Sequence, residues 1–587
     1  MEKTKRKKTI YLILFVIILL QLFRIIYSFA FLKEGTHSDE EWSYGLANSY
    51  FEPYIYQNAD ETEYTHINEW FSSDVFKDYL TVNKDQRFSY KSVFYNQSKD
   101  LHPPLYYLIL HTICSFFPEK FSFWYGFSIN IVAFIFTQFF LYKLIKNMTD
   151  SDIAAISGCI LYGCSTGALN TFVFVRMYAL LTMFTVITSY LHSLLYKTDN
   201  FRKYLPAIFI ITICGALTHH YFLVFAGLLS AVFCFYYLFS KQIRKMFIYG
   251  ITLLASVGTS VAIFPATINH LFGRRGEITK FEPYWQIKLC FDYSFSELFA
   301  VHFSVYKSPA PVITLIICIT IMIIAAPLVF LFRNEIWFKK FTLQLRNSFS
   351  KLLSSIKTKF HNIDIVLLAL IISSFGVIIA TACTISIISM TTKTDRYMFL
   401  IFPILCTSAI CTLRYILKWT VSSGKIKNAL LITAAVSLSI SSNFESECGY
   451  LFPKDKDTID ISSTIDSSNC IYISNEFWLM TCLAKDAMNF EKIYAAQPQE
   501  DALNKIISPG NDKSVFMIIN TDSYKSEISE ASTSEFHNAF PEFKNQKNLL
   551  DRDKFFSIVK NLDICKELSF LGYGKIFGRT FEVYRLS

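Results

Sequence analysis

What most restricts the fold of this chain is a series of long, almost uncharged apolar runs separated by basic segments. Read as spans they are 9–31, 121–142, 153–172, 177–196, 203–220, 221–240, 246–268, 310–332, 363–390, 396–416 and 427–443. About 20 apolar residues suffice to cross a bilayer as a helix. Composition agrees, with 52% hydrophobic and only 18% charged residues, where a soluble protein carries roughly a quarter charged. With 58 Phe and few Gly and Pro, disorder and collagen-like repeats are excluded. The expected fold is a polytopic α-helical membrane protein with about eleven transmembrane helices.

The basic residues orient it. Lys3, Lys5, Arg6, Lys7 and Lys8 precede the first span, which is too long and lacks the small-residue cleavage site of a signal peptide. Lys143 and Lys146, Lys197 to Lys203, Lys241 to Lys245, the loop 333–362 and Lys418 to Lys427 then all fall on the side of the N-terminus. Positive residues collect on the cytoplasmic side, so the N-terminus is expected there. The net charge of +9 is accounted for in this way and calls for no nucleic-acid partner. The apolar piece 104–117 is short for a span, and counting it would invert every later loop. It reads as an interfacial or re-entrant helix.

This leaves three large segments outside: 32–103, 269–309, and everything from 444 on. The last has the mixed pattern of a small α/β domain. Strands are expected at Cys470–Ser474 and Val515–Asn520, a helix at 475–491, and a Gly- and aromatic-rich close at 566–586. The division is therefore 1–443, membrane domain, and 444–587, extracytoplasmic domain. Most cysteines lie singly in apolar runs, where they behave as small hydrophobes. Cys448, Cys470, Cys482 and Cys565 allow one disulfide outside without requiring it. No Cys/His spacing suits a metal.

Five polar constellations fall on the outer side of this scheme. His37-Ser38-Asp39-Glu40-Glu41 follows the first span; its carboxylates are either a solvated loop or a membrane-surface site with a general base. Asp100-Leu101-His102-Pro103-Pro104-Leu105-Tyr106-Tyr107 reads as a helix entry fixed by two prolines. Arg176-Met177-Tyr178 opens the fourth span, where an arginine either snorkels or grips a phosphate with its two-pronged guanidinium. Thr218-His219-His220-Tyr221 sits at a turn; adjacent helix residues diverge by about 100°, so hydrogen bonding is a plainer role for the histidines than a shared ion. Lys393-Thr394-Asp395-Arg396-Tyr397 opens the tenth span, and Arg396 can simply pair with Asp395.

Taken together these motifs resemble the GT-C glycosyltransferases, in the branch of bacterial relatives of protein O-mannosyltransferases and the lipid A aminoarabinose transferase. Asp39-Glu40 is similar to the family's Asp-Glu pair, His102 to Tyr107 to its HPPLYY, Arg176 to Leu180 to its RMYAL, Thr218 to Tyr221 to its THYY, and Arg396-Tyr397 to its late Arg-Tyr. The resemblance covers about 9–416. Three departures stand out: Phe174-Val175 replaces the Gln-Glu-Ala that often precedes RMY, His220 stands where the family has Tyr, and the first outer loop is unusually long.

The resemblance implies transfer of a sugar from a polyprenyl-phosphate donor to a hydroxyl of a glycan, lipid or protein at the outer membrane face, with inversion. Asp39 is then the expected base and Glu40 its partner in placing the acceptor. Arg176, Arg396 and His102, with Arg274 and Arg275 of the 269–309 loop, would hold the donor phosphate. His219, His220, Tyr221 and Tyr178 would position acceptor or sugar. No cofactor is implied, a divalent metal being left open. The rival class is a transporter or flippase for lipid-linked sugars. That class places ionisable groups at mid-membrane, whereas here the spans are nearly free of charge.

Overall fold

The computed structural model describes residues 2–60, 63–272, 283–302, 364–384, 395–452, 458–465, 467–510, 513–521, 549–576 and 579–587. Among these, seven helices are long and apolar enough to cross a membrane: Lys8–Leu32, Phe123–Thr149, Tyr178–Thr198, Tyr221–Phe239, Ile243–Ile263, Ile365–Cys383 and Asp395–Lys418. The pair Asp152–Gly163 and Thr166–Val173, bent by 63°, makes an eighth if counted as one broken span. The expected spans 203–220 and 427–443 fall on the helices Phe201–Ala216 and Gly424–Glu445. Span 310–332 and loop 333–362 lie outside the described residues. Residues 104–117 form the 12-residue helix Leu105–Phe116, less than the length of a bilayer core.

The bend in the broken pair has a visible cause. At the break, Arg24 donates from Nη1 to the carbonyl of Cys164 at 2.7 Å and Asn443 donates to the same oxygen at 2.8 Å. Ser165 then caps the second helix, its Oγ accepting from the N–H of Ala168 at 3.1 Å. Backbone freed inside an apolar bundle needs such partners. The short second helix ends at Val173 and delivers Val175 and Arg176 to the site.

At the opposite end of the bundle, Lys197 pairs with Asp150 at 2.6 Å, and Lys245 pairs with Asp199. The helix Tyr178–Thr198 separates the two ends by about 30 Å at 1.5 Å per residue.

The chain's last part folds on a six-stranded mixed sheet: β1 (Trp70–Ser72), β2 (Asn469–Ile473), β3 (Lys492–Ala496), β4 (Val515–Asn520), β5 (Leu568–Ile576) and β6 (Arg579–Leu586), in the order β1-β3-β2-β4-β6-β5. The three central strands are parallel and buried almost throughout, as strands covered on both faces are. Side chains alternate accordingly. Cys470 and Tyr472 join the large core shared with the membrane domain, while Ile471 and Ile473 pack with Phe555 and Val559 of the helix Arg552–Lys560. Strand β1 comes from the first loop and pairs antiparallel with β3, Phe71 opposite Ile493, so the sheet draws on both parts of the chain. Cys448, Cys470, Cys482 and Cys565 are all unpaired thiols.

Candidate active site

The site is built on the N-terminus of the helix Ser38–Asn48. His37 caps it: its Nδ1 accepts from the N–H of Asp39 at 3.0 Å, and Glu40 reaches back to accept from the N–H of His37 at 2.8 Å. This is a capping box with histidine in the place usually held by Ser or Thr. Three carboxylates in the first turn suit the positive end of the helix dipole. The helix beds closely into the fold at Gly45, where a Cβ would come within 1.9 Å of the Tyr79 ring.

The three adjacent acids have three different surroundings. Glu40 is fully buried and fully engaged. Its Oε1 accepts from the N–H of Val175 at 2.8 Å and from Lys33, whose ammonium also donates to the Val173 carbonyl at 3.0 Å. Glu41 accepts from Thr36 at 2.9 Å and from the N–H of Lys485 in the last domain at 3.0 Å. Burial, reinforced by Asp486, pushes its carboxyl up to about 8 against those two bonds. Asp39 alone is left open: among the described residues its carboxylate makes no hydrogen bond.

Two arginines flank that carboxylate. Arg176 Nε lies 3.7 Å and Arg396 Nη2 3.6 Å from Asp39 Oδ2. Arg176 is fixed by donating from Nη1 to the Asp39 carbonyl at 2.7 Å and to Ser43 Oγ at 3.2 Å. Arg396 is steadied by Asp395, which accepts from its N–H at 2.9 Å and from the hydroxyl of Tyr450 at 2.6 Å. The Nε–H of each arginine is buried without a hydrogen bond. Burial alone would raise the Asp39 carboxyl. Arg176 and Arg396, helped by His37 and His102, outweigh it and hold the group far below the usual carboxylate range.

Arg396 Nη1 also lies 3.1 Å from His37 Nε2. Burial, with Arg396, Arg176 and Lys33 adding to it, takes His37 down to about 3 despite Asp39, so the ring is neutral. Both ring nitrogens therefore face donors, and a neutral imidazole can accept at only one of them.

The remaining motifs close in from other elements. The N–H of Leu105 donates to the Leu217 carbonyl at 2.9 Å, which sets the His102 turn against the His219 turn. Their rings lie 5.6 Å apart. His219 Nδ1 accepts from the N–H of Tyr221 at 3.1 Å, leaving Nε2 as the N–H; that atom is buried without a partner. Its ring packs on Tyr178, and Tyr221 packs on Tyr397. His220 diverges from this group and its ring meets His270 at 5.8 Å. Arg274 and Arg275 lie outside the described residues.

Lys33, Ser43 and Tyr450 belong to the site without having been singled out in the sequence, while His37 and Tyr397 stood in its motifs with no role given to them. Among the described residues no group of three or more His, Cys, Asp and Glu is placed to hold a metal ion.

Residues 101–267, the stretch carrying His102, Arg176, Tyr178 and His219, match the family model described as dolichyl-phosphate-mannose-protein mannosyltransferase. That match covers less than a third of the chain and shows what this stretch is similar to. No curated protein sequence matches this chain. Among solved structures, ArnT from Cupriavidus metallidurans bound to undecaprenyl phosphate aligns over 99% of this chain and 98% of its own, at 9% identity and a TM-score of 0.46.

Proposed function

We propose that this protein is a membrane glycosyltransferase that moves one sugar from a polyprenyl-phosphate donor to an acceptor hydroxyl at the extracytoplasmic face, with inversion at the anomeric carbon. One observation carries the reading: an open carboxylate, Asp39, lies between two arginines whose buried Nε–H groups make no hydrogen bond. Phosphodiester cleavage needs such donors, because negative charge grows on the departing phosphate. An anion between Arg176 and Arg396 satisfies both free N–H groups, and it draws Arg396 from a histidine that cannot accept from it and from Asp39 together. The same anion offsets the guanidinium charges and returns basicity to Asp39. Asp39 then accepts the acceptor's proton as the oxygen attacks from the face opposite the phosphate.

Glu40 serves this chemistry indirectly. By holding Val175 and Lys33 it fixes the approach of Arg176 to Asp39, which makes it a positioning residue. Tyr178, His219 and Tyr221 line the neighbouring wall, where the sugar is held, and His220 stands outside that wall. The basic ends of the helices, Lys197 and Lys245 among them, then face the cytoplasm.

A transporter would need ionisable groups along a path through the bilayer. The intramembrane His192 has both ring nitrogens engaged, by the Thr188 carbonyl and the Tyr249 hydroxyl, each at 2.8 Å, and acts as a link between helices. The test is to incubate purified protein with a panel of polyprenyl-phosphate sugars and follow release of polyprenyl phosphate with and without candidate acceptors. Movement of intact donor between leaflets, with no cleavage of any donor in the panel, would favour the transporter.

A further inference from the structure

His219 ends in a donor that none of the described residues accepts. Its Nδ1 accepts from the N–H of Tyr221 at 3.1 Å. Burial, with His102, His220, Arg176 and Arg396 adding to it, holds the ring neutral. A neutral imidazole carries one ring N–H, which here must be at Nε2. The residue is 4% exposed, and Nε2 is enclosed without a hydrogen bond. Buried polar atoms in folded proteins are nearly always paired, so this one calls for a partner from outside the chain.

The ring belongs to a wall that runs up to Arg396. It packs on Tyr178 at 5.5 Å and on Tyr397 at 6.3 Å between ring centroids. Tyr397 in turn lies under the Arg396 guanidinium, whose Cζ is 5.1 Å from the ring centroid. One aromatic ring therefore separates Arg396 from His219. In a polyprenyl-phosphate donor the sugar is bonded directly to the phosphate. A phosphate between Arg176 and Arg396 thus brings the sugar against this wall.

The polarity of the surroundings is one-sided. Arg176 Nε, Arg396 Nε and His219 Nε2 are all buried N–H donors without a hydrogen bond. The acids beside them, Asp39 apart, are already engaged. Glu40 accepts from Val175 and Lys33, and Glu41 from Thr36 and Lys485. Asp395 accepts from Tyr450 and from the N–H of Arg396, and Asp100 Oδ2 lies 2.6 Å from His102 Nδ1. A sugar hydroxyl has lone pairs with which to accept from His219. An ammonium group has only hydrogens to offer, and two guanidinium charges repel it.

We propose that His219 Nε2–H donates to a hydroxyl of the donor sugar and so makes the protein select an uncharged sugar over an amino sugar. The proposal rests on the reading of the donor given above and narrows its sugar to this class. It also gives His219 one task, recognition of the sugar, where the sequence left acceptor and sugar open.

The experiment measures kcat/KM for release of polyprenyl phosphate by the parent protein and by His219→Phe. The donors are a polyprenyl-phosphate hexose and a series in which each ring hydroxyl is replaced in turn by hydrogen or by an amino group. In the parent one position should stand out, where hydrogen lowers kcat/KM about 10-fold, the scale of a buried donor left unpaired. The amino group at that position should lower it further. Phe keeps the ring packing and removes the donor, so the penalty for hydrogen should vanish in His219→Phe. If that variant accumulates poorly, the series on the parent still tests the selectivity. Amino donors cleaved as well as the hexose at every position overturn the proposal. An unchanged pattern of penalties in His219→Phe overturns it as well, while leaving Asp39 and the arginines in their roles. A parent protein that cleaves no donor removes the underlying reading, and this proposal with it.

Discussion

The backbone N–H of Val175 donates to Glu40 Oε1 at 2.8 Å, tying the residue before Arg176 to the residue after Asp39. Glu40 is therefore expected to govern folding. Glu40→Gln leaves Lys33 buried without its counter-charge, and breaking a buried ion pair on one side costs about 3–5 kcal/mol. The variant should accumulate poorly and melt well below the parent. Normal yield combined with a changed acceptor KM would return Glu40 to the acceptor site.

Asp39→Asn should behave in the opposite way. The carboxylate makes no hydrogen bond among the described residues, so the amide disturbs little. Yield and donor binding should persist while kcat falls about 10²-fold or more, the scale of a lost general base. Near-parental turnover would rule the base assignment out.

Arg396→Ala should weaken donor binding by about 1.5–3 kcal/mol, the range for a hydrogen bond to a charged group. Arg396→Lys should recover only part, because a point charge replaces the planar fork. Arg176→Ala should lower yield as well, since Arg176 also binds the Asp39 carbonyl and Ser43. Isothermal titration with polyprenyl phosphate measures both effects. Unchanged affinity in both alanine variants would leave the arginines as structural residues.

Much of this was legible in the sequence, and the reasons differ from residue to residue. The spans announced themselves through length and the motifs through their residue order, so Arg176, His102 and Asp39 were named from the chain alone. The different surroundings of Asp39 and Glu40 were not. Neighbouring acids look alike in a sequence, and only the partners brought by Lys33 and Val175 separate them. The capping box was hidden because His37 fills the place of Ser or Thr. Strand β1 has three residues, too few to show a period of two, and its partner lies in the last quarter of the chain. Tyr450 carries no motif; its role follows from where the final helix of the membrane domain ends.

Glu41 sets a pH dependence of stability. Its folded-state pKa of about 8 is raised above the ordinary carboxyl value. A raised carboxyl contributes stability that is complete below the unfolded pKa and is lost as pH rises through the folded one. The parent should thus lose thermal stability between about pH 4.5 and pH 8. Glu41→Gln should flatten that slope and match or exceed the parent at the alkaline end. An identical slope in the two proteins would place the titration elsewhere.

Strand β1 places a constraint on how the molecule is made. Its partner β3 lies hundreds of residues later, across most of the membrane spans. At translation rates of about 5–20 residues per second, the first loop emerges and waits for tens of seconds with its strand unpaired. During that interval Trp70 and Phe71 are exposed to chaperones and proteases. The helix that carries Asp39 also lacks its contact with Lys485 until the final domain has been made. The surroundings of Asp39 are therefore complete only once Lys485 and its neighbours have been made, after the helices that precede them.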